Sequence, residues 1–224
     1  MSGPLLELQG LRVRRGARLA LELSALQLQP GEALAVVGEN GSGKSTLLLA
    51  VAGLLDLEAG EIRLAGGGAH CGRAPAPTAY RQALALALQE PYPFAGPALE
   101  LATFGLRARG VGRRDARARA RTALAELGIE GLAARQAPSL SGGERKLLSL
   151  AQLAALAPAP GLLLLDEPTA GVDEAHLAAV EGWVRAARGR GAGLMLATHD
   201  HALAARLADR TLELRAGRAS TPAP

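Results

Sequence analysis

The sequence predicts an α/β protein: a largely parallel sheet covered by helices on both faces, with a helical stretch inserted in the middle of the chain. Two observations carry that reading. Short apolar runs alternate with helical periods at both ends of the chain, and strands separated by helices belong in a parallel sheet buried on both faces. Residues 97–157 break this alternation and read as helix alone, interrupted at Gly110-Val111-Gly112, at Gly128 and at 136–141.

In chain order, residues 5–9 and 19–23 alternate or run apolar and read as two short strands. Pro30-Gly31 marks a turn, and 33–37 is a wholly apolar strand leading into a glycine-rich loop and a helix over 44–54. A strand at 61–64 precedes a Gly/Ala/Pro-rich loop over 66–77, and 84–88 is a buried strand ending at Gln89. Beyond the helical stretch come strands at 162–165, 194–197 and 211–214, alternating with helices at 174–188 and 201–208. The expected organisation is one domain over 1–218. Its core is 1–96 with 158–218, its helical subdomain about 97–157, and 219–224 forms a frayed tail.

Composition excludes several classes. Charged residues make up 21% of the 224, a globular fraction rather than a disordered one. No apolar run approaches the roughly 18 residues that span a bilayer. The first eleven residues lack the basic start and apolar stretch of a secretory signal, so a cytoplasmic chain is expected. Cys71 is the only cysteine, which rules out an internal disulfide, and beside His70 it makes two ligands, too few for a metal site. Both are expected in an exposed loop. The net charge of +4 invites a nucleic-acid reading, but 23 of the 25 cationic residues are arginine, a skew shared with the abundance of Ala, Leu and Gly. It reflects composition, and no specific nucleic acid is expected. In such a background a lysine stands out; the two are Lys44 and Lys146.

Lys44 closes the run Gly38-Glu39-Asn40-Gly41-Ser42-Gly43-Lys44-Ser45, which fits the phosphate-loop pattern G-x-x-x-x-G-K-[ST] between an apolar strand and a helix. The glycines let backbone N–H groups turn inward around a phosphate chain at the positive end of a helix. Lys44 adds a full charge, and the Ser45 hydroxyl suits Mg²⁺. ATP and Mg²⁺ are the expected ligands. Leu162-Leu163-Leu164-Leu165 ends in Asp166-Glu167 at the carboxyl edge of the sheet, where ligands of such folds bind. Adjacent strand residues point oppositely, so the two acids divide the work: Asp166 suits the Mg²⁺ shell and Glu167 the polarising of an attacking water. Leu140-Ser141-Gly142-Gly143-Glu144 opens a further helix. It reads equally as a second anion cradle or as a plain capping box, Ser with Glu three residues on.

These motifs, in this order, resemble the ATP-binding cassette (ABC) ATPases over essentially the whole chain. The resemblance implies a P-loop NTPase (RecA-like) core with a mostly parallel sheet, an N-terminal antiparallel β subdomain and an inserted α-helical subdomain. It also implies a head-to-tail dimer in which Ser141, Gly142, Gly143 and Glu144 of one subunit close over ATP held by the other. Thr46 joins the ATP-binding residues, Gln89 senses Mg²⁺, Asp173 in Gly171-Val172-Asp173 crosses the dimer interface, and His199 in Thr198-His199-Asp200 contacts the γ-phosphate, with Lys44 and Glu167 completing the catalytic set. Arg14-Arg15 stands where the family often has an adenine-stacking aromatic, and the planar guanidinium of Arg15 can stack instead. The usual Gln-Arg pair after the signature is replaced by Arg145-Lys146-Leu147.

The resemblance further implies a transmembrane partner and a place on the cytoplasmic face of the cell membrane. Tyr92 and Phe94, in a proline-stiffened segment with Pro91 and Pro93, suit an interface with that partner. The stretch after Gln89 and the Thr169–Asp173 segment look most like the energy-coupling-factor branch, which imports vitamins, cobalt or nickel. Arg107 to Arg121 carries seven arginines against Asp115 alone, and reads as a solvated helix face rather than a lipid or nucleic-acid patch. The rival is a non-transport ABC ATPase. Lys44 and Ser141 lie 97 positions apart without sustained heptads, which argues against a chromosome-type head. An iron–sulfur cluster assembly ATPase is the alternative that length leaves open.

Overall fold

The computed structural model describes residues 3–90, 95–156 and 161–220, and Tyr92 and Phe94 lie outside them. The chain divides into two compact units, one of residues 1–86, 159–167 and 188–224, the other of 87–158 and 168–187. Among the described residues, no helix is long and apolar enough to cross a membrane.

The first unit is built on a ten-stranded sheet. Its antiparallel part starts with β1 (Leu6–Arg15) and β2 (Arg18–Leu28), longer than the two short strands expected. Alternation explains the misreading. Leu6 and Leu8 are buried, but so are Leu11 and Val13, a three-residue step that strict period two forbids. Gly10 takes up the extra residue at φ 58°, and pairing with β4 (Ala59–Leu64) shifts register between Gln9 and Arg12. The strand continues with its apolar face still inward.

The expected loop over 66–77 is also partly ordered. β5 (Gly68–His70) pairs antiparallel with β4, and Cys71 is exposed as expected. His70 is not: it is buried, with Nε2 3.1 Å from the Leu55 carbonyl and its ring tilted against Tyr80. Tyr80, on a short helix α2 (Thr78–Gln82), donates its hydroxyl to the Val51 carbonyl, and burial pushes its pKa well up.

The parallel part contains β3 (Ala33–Val37), β7 (Leu162–Asp166), β8 (Gly193–Ala197) and β9 (Arg210–Arg215), with β6 (Leu84–Ala87) beside β7. Every residue of β3, β7 and β8 is buried, which is why they read as unbroken apolar runs. β10 (Arg218–Ala219) joins β9 to β2 and reaches one residue into the expected tail. Helix α1 (Lys44–Val51) follows β3 and ends where Gly53 takes φ 69°. α8 (His201–Leu207) starts on Asp200, whose carboxylate accepts from the Ala202 and Leu203 N–H groups.

The second unit is helical: α3 (Ala98–Ala102), α4 (Phe104–Ala108), α5 (Arg113–Glu126), α6 (Gly142–Ala154) and most of α7 (Glu174–Gly189). α5 buries Ala116, Ala120, Ala123 and Leu124, spaced at i, i+4, i+7 and i+8. Its arginines flank that stripe. Arg113, Arg114, Arg119 and Arg121 are exposed, and Arg117 reaches Glu100 at 3.4 Å.

Candidate functional site

Register brings three strand ends together in the first unit. Val36 of β3 and Asp166 of β7 both pair with Ala197 of β8, so the residues that follow each strand emerge at one edge of the sheet. With neighbouring strands about 4.8 Å apart, the ends of β3 and β7 are separated by roughly 10 Å.

The loop after β3 is shaped by its glycines. Gly38, Gly41 and Gly43 all have positive φ, and a Cβ at Gly38 would lie 2.3 Å from the Leu214 carbonyl oxygen. Lys44 is buried and spans the loop, donating from Nζ to Gly38 O at 2.7 Å and to Glu39 O at 3.1 Å. An ammonium has three donors, so one remains for an anion. α1 has no side-chain cap and no acid in its first turn, which leaves its N–H groups for the same anion. Ser42 Oγ is buried with no hydrogen-bond partner among the described residues, a polar atom placed where a bound phosphate chain would supply one. Ser45 and Thr46 are half-buried on the first turn of α1.

Asp166 ends β7 buried at 4% exposure, and Glu167 follows at 6%. Glu167 has φ 45°, a left-handed conformation that a non-glycine residue adopts at a cost. The end of β8 holds it there. Its N–H donates to Ala197 O at 2.9 Å, and its Oε1 accepts from the His199 N–H at 3.0 Å and meets His199 Nδ1 at 2.7 Å. Oε2 accepts from the Thr198 hydroxyl at 3.1 Å. A carboxylate oxygen accepts, so the His199 ring meets the acid as a donor at Nδ1, and Nε2 points away from it. Oε1 has both lone pairs engaged. Oε2 keeps one, and that is where a water proton can go.

Thr198 is the residue that sequence reasoning passed over. It is fully buried, donates to Glu167 and accepts from the Asp200 N–H at 3.0 Å, so one hydroxyl ties the acid to the start of α8. The signal was available: a polar β-branched residue immediately beyond a wholly apolar strand has few structural reasons to be there. Thr198→Val keeps the shape and removes both bonds. We expect hydrolysis to fall about tenfold with nucleotide affinity unchanged, an effect of the size of an unsatisfied buried polar group. Unchanged turnover would mean that Glu167 is positioned without it.

In the second unit, the segment over 140–144 is built as the capping-box reading expects. The capping box is present: Ser141 Oγ accepts from the Glu144 N–H at 3.2 Å, and Glu144 Oε2 accepts from the Ser141 N–H at 2.7 Å. Arg135 braces the box through Glu144 at 2.9 Å and the Ser139 carbonyl. The Gly142 and Gly143 N–H groups remain as first-turn donors. A Cβ at Gly143 would lie 2.3 Å from the Gly171 carbonyl oxygen, so the signature packs directly on the Gly171-Val172-Asp173 turn. Asp173 is locally occupied, capping α7 through the His176 N–H at 3.1 Å and meeting the His176 ring at 2.6 Å. Gln89 is exposed, as is Arg15 at the end of β1 beside the Gly16-Ala17 turn.

Glu144 makes the box pH-sensitive. The Ser141 backbone N–H, then the Ser141 hydroxyl and Arg135, hold its carboxyl below the ordinary value against a partial burial that works to raise it. A depressed folded-state pKa stabilises the fold above the unfolded value and loses that contribution as pH falls through the folded one. The Tm difference between wild type and Glu144→Gln should therefore be constant near neutrality and narrow below about pH 4. A difference that does not change with pH would remove Glu144 from the acid response.

The family model described as "ABC transporter" matches residues 21–170. The cobalt import ATP-binding protein CbiO of Rhodobacter capsulatus is 40% identical over 91% of this chain and 72% of its own length. The hemin import ATP-binding protein HmuV of Pseudomonas entomophila is 39% identical over 96% of this chain and 84% of its own. The solved structure of cbiO1 from Clostridium perfringens, described as part of the ABC transporter complex cbiONQ, superposes with a TM-score of 0.79 at 25% identity, covering 98% of this chain and 88% of that one.

Proposed function

Because the chain belongs to the ABC transporter family and is one of its ATP-binding, ATP-hydrolysing subunits, we propose that it powers import of a metal ion or metal complex through a separate transmembrane partner. Its relatives are named for cobalt and hemin import, which supports a metal-containing cargo. Energy-coupling-factor-type import is the finer reading, supported by the cbiONQ relative. The chain then works peripherally on the cytoplasmic face of the cell membrane. Arg15 stacks on the adenine.

The observation that carries the catalytic assignment is the grip of Thr198 and His199 on Glu167 beside the phosphate loop. The N–H groups of residues 38–46 and Lys44 bind and orient the phosphates. Glu167 takes a proton from the attacking water at Oε2, while His199, held at Nδ1, presents Nε2 toward the γ-phosphate. Mg²⁺ fits the site: Ser45 offers a hydroxyl and Asp166 a buried carboxylate, both hard oxygen donors, and Gln89 is proposed as the residue that senses the ion. When bound, the ion offsets phosphate charge in the transition state.

Two chains assemble head to tail, each lending Ser141 to Glu144 to the other's ATP, with Asp173 at the interface. Gel filtration of Glu167→Gln with MgATP tests this and should show a dimer; a monomer at saturating nucleotide would overturn it. The cargo is tested by cobalt, iron and haem uptake in cells lacking the chain, where loss of none of the three would refute a metal cargo. Tyr92 and Phe94 are proposed to meet the transmembrane partner.

A further inference from the structure

Of the two lysines in this arginine-dominated chain, Lys44 serves the phosphate loop. The other, Lys146, is 2% exposed in the second turn of α6, a burial that lysine tolerates only when its donors are satisfied. Its Nζ donates to the Leu88 carbonyl at 3.0 Å and also to the Gln89 carbonyl. These are consecutive backbone oxygens immediately beyond β6, 58 and 57 positions away along the chain. Leu88, Gln89 and Glu90 are themselves exposed, so their side chains give this backbone little packing to rest on. The hold comes from α6. The same helix begins at Gly142, and its cap is the signature serine.

We propose that Lys146 is a positioning residue: it clamps the backbone that presents Gln89 to the helix that carries the signature, so that Gln89 and the Ser141 cradle keep a fixed relation. The inference rests on the reading of Gln89 as a residue directed toward Mg²⁺. It also gives the replacement of the usual Gln-Arg pair by Arg145-Lys146-Leu147 a physical role. A lysine supplies three donors at the end of a flexible stem, enough to hold two adjacent carbonyls at once.

The test compares Lys146→Met, which keeps length and burial but donates nothing, with Lys146→Arg, Gln89→Ala and the Gln89→Ala/Lys146→Met double variant. Lys146→Met should lower kcat about tenfold and raise the Mg²⁺ concentration for half-maximal hydrolysis several-fold. Metal-free binding of a fluorescent ATP analogue should stay within about twofold, and Tm within a few degrees. Lys146→Arg should recover most of the loss. The double variant should be no slower than Gln89→Ala alone, because a residue acting through Gln89 has nothing left to position. Losses that multiply, or a kcat loss that tracks a falling Tm in both Lys146 variants, would overturn the proposal. If Gln89→Ala leaves the Mg²⁺ dependence unchanged, the reading of Gln89 fails instead. The clamp is then judged by amide exchange: faster exchange over residues 88–90 in Lys146→Met upholds it, and unchanged exchange removes it.

Discussion

Glu167→Gln is expected to reduce ATP hydrolysis by at least about a hundredfold while leaving ATP binding intact, the range set by removing a general base. The amide has the shape of the carboxylate but cannot take a proton from water. Its geometry adds a second penalty. Oε1 receives two donors from His199 and Oε2 receives one from Thr198, so an amide nitrogen placed at either position faces a donor. Phosphate release under MgATP saturation measures the first effect, and titration of a fluorescent nucleotide checks that the loop over 38–45 still binds. A variant that retains a tenth of wild-type turnover would show that another group activates the water.

Gly143→Ala should be nearly as damaging by a different route. Its Cβ would sit 2.3 Å from the Gly171 carbonyl, and backbone cannot swing aside as a side chain can. Reaching ordinary contact requires the two segments to part by about an ångström, a strain of the order of 1–3 kcal/mol. The expected outcome is a Tm lower by a few degrees and hydrolysis at least about tenfold slower, with the nucleotide still bound by the chain's own phosphate loop. Gly142→Ala is the control for stability, because a Cβ there meets nothing within 4 Å, and its Tm should stay near the wild-type value. Equal losses of Tm in the two variants would mean that the contact with Gly171 is not what matters.

Much of the first unit was legible because its chemistry is written in contiguous residues. A phosphate loop needs glycine, lysine and serine at set spacing. A buried parallel strand ending in two acids is recognisable from the six letters of residues 162–167. Length was less legible. β1 outran its expected end because one glycine bulge keeps Leu11 and Val13 on the face of Leu6 and Leu8, and period-two reasoning stops at such a slip. His70 was misplaced for a related reason. A Gly-rich stretch reads as loop, whereas here positive-φ glycines at 66 and 68 turn a hairpin that buries the imidazole. The grip of Thr198 on Glu167 and of Lys146 on Leu88 and Gln89 joins residues 31 to 58 positions apart, which no local pattern encodes.

The contact between Gly143 and Gly171 has a consequence for how the two positions tolerate change in a library of random variants. Gly171 needs its φ of 74°, yet a Cβ there meets nothing. Asparagine, which enters that conformation readily, should survive selection at 171. Gly143 has no unusual φ and no room, so any side chain should be depleted there regardless of its conformational taste. Two glycines that look alike on the page are thus held by different filters, one angular and one volumetric. A sequencing readout after selection for transport would separate them.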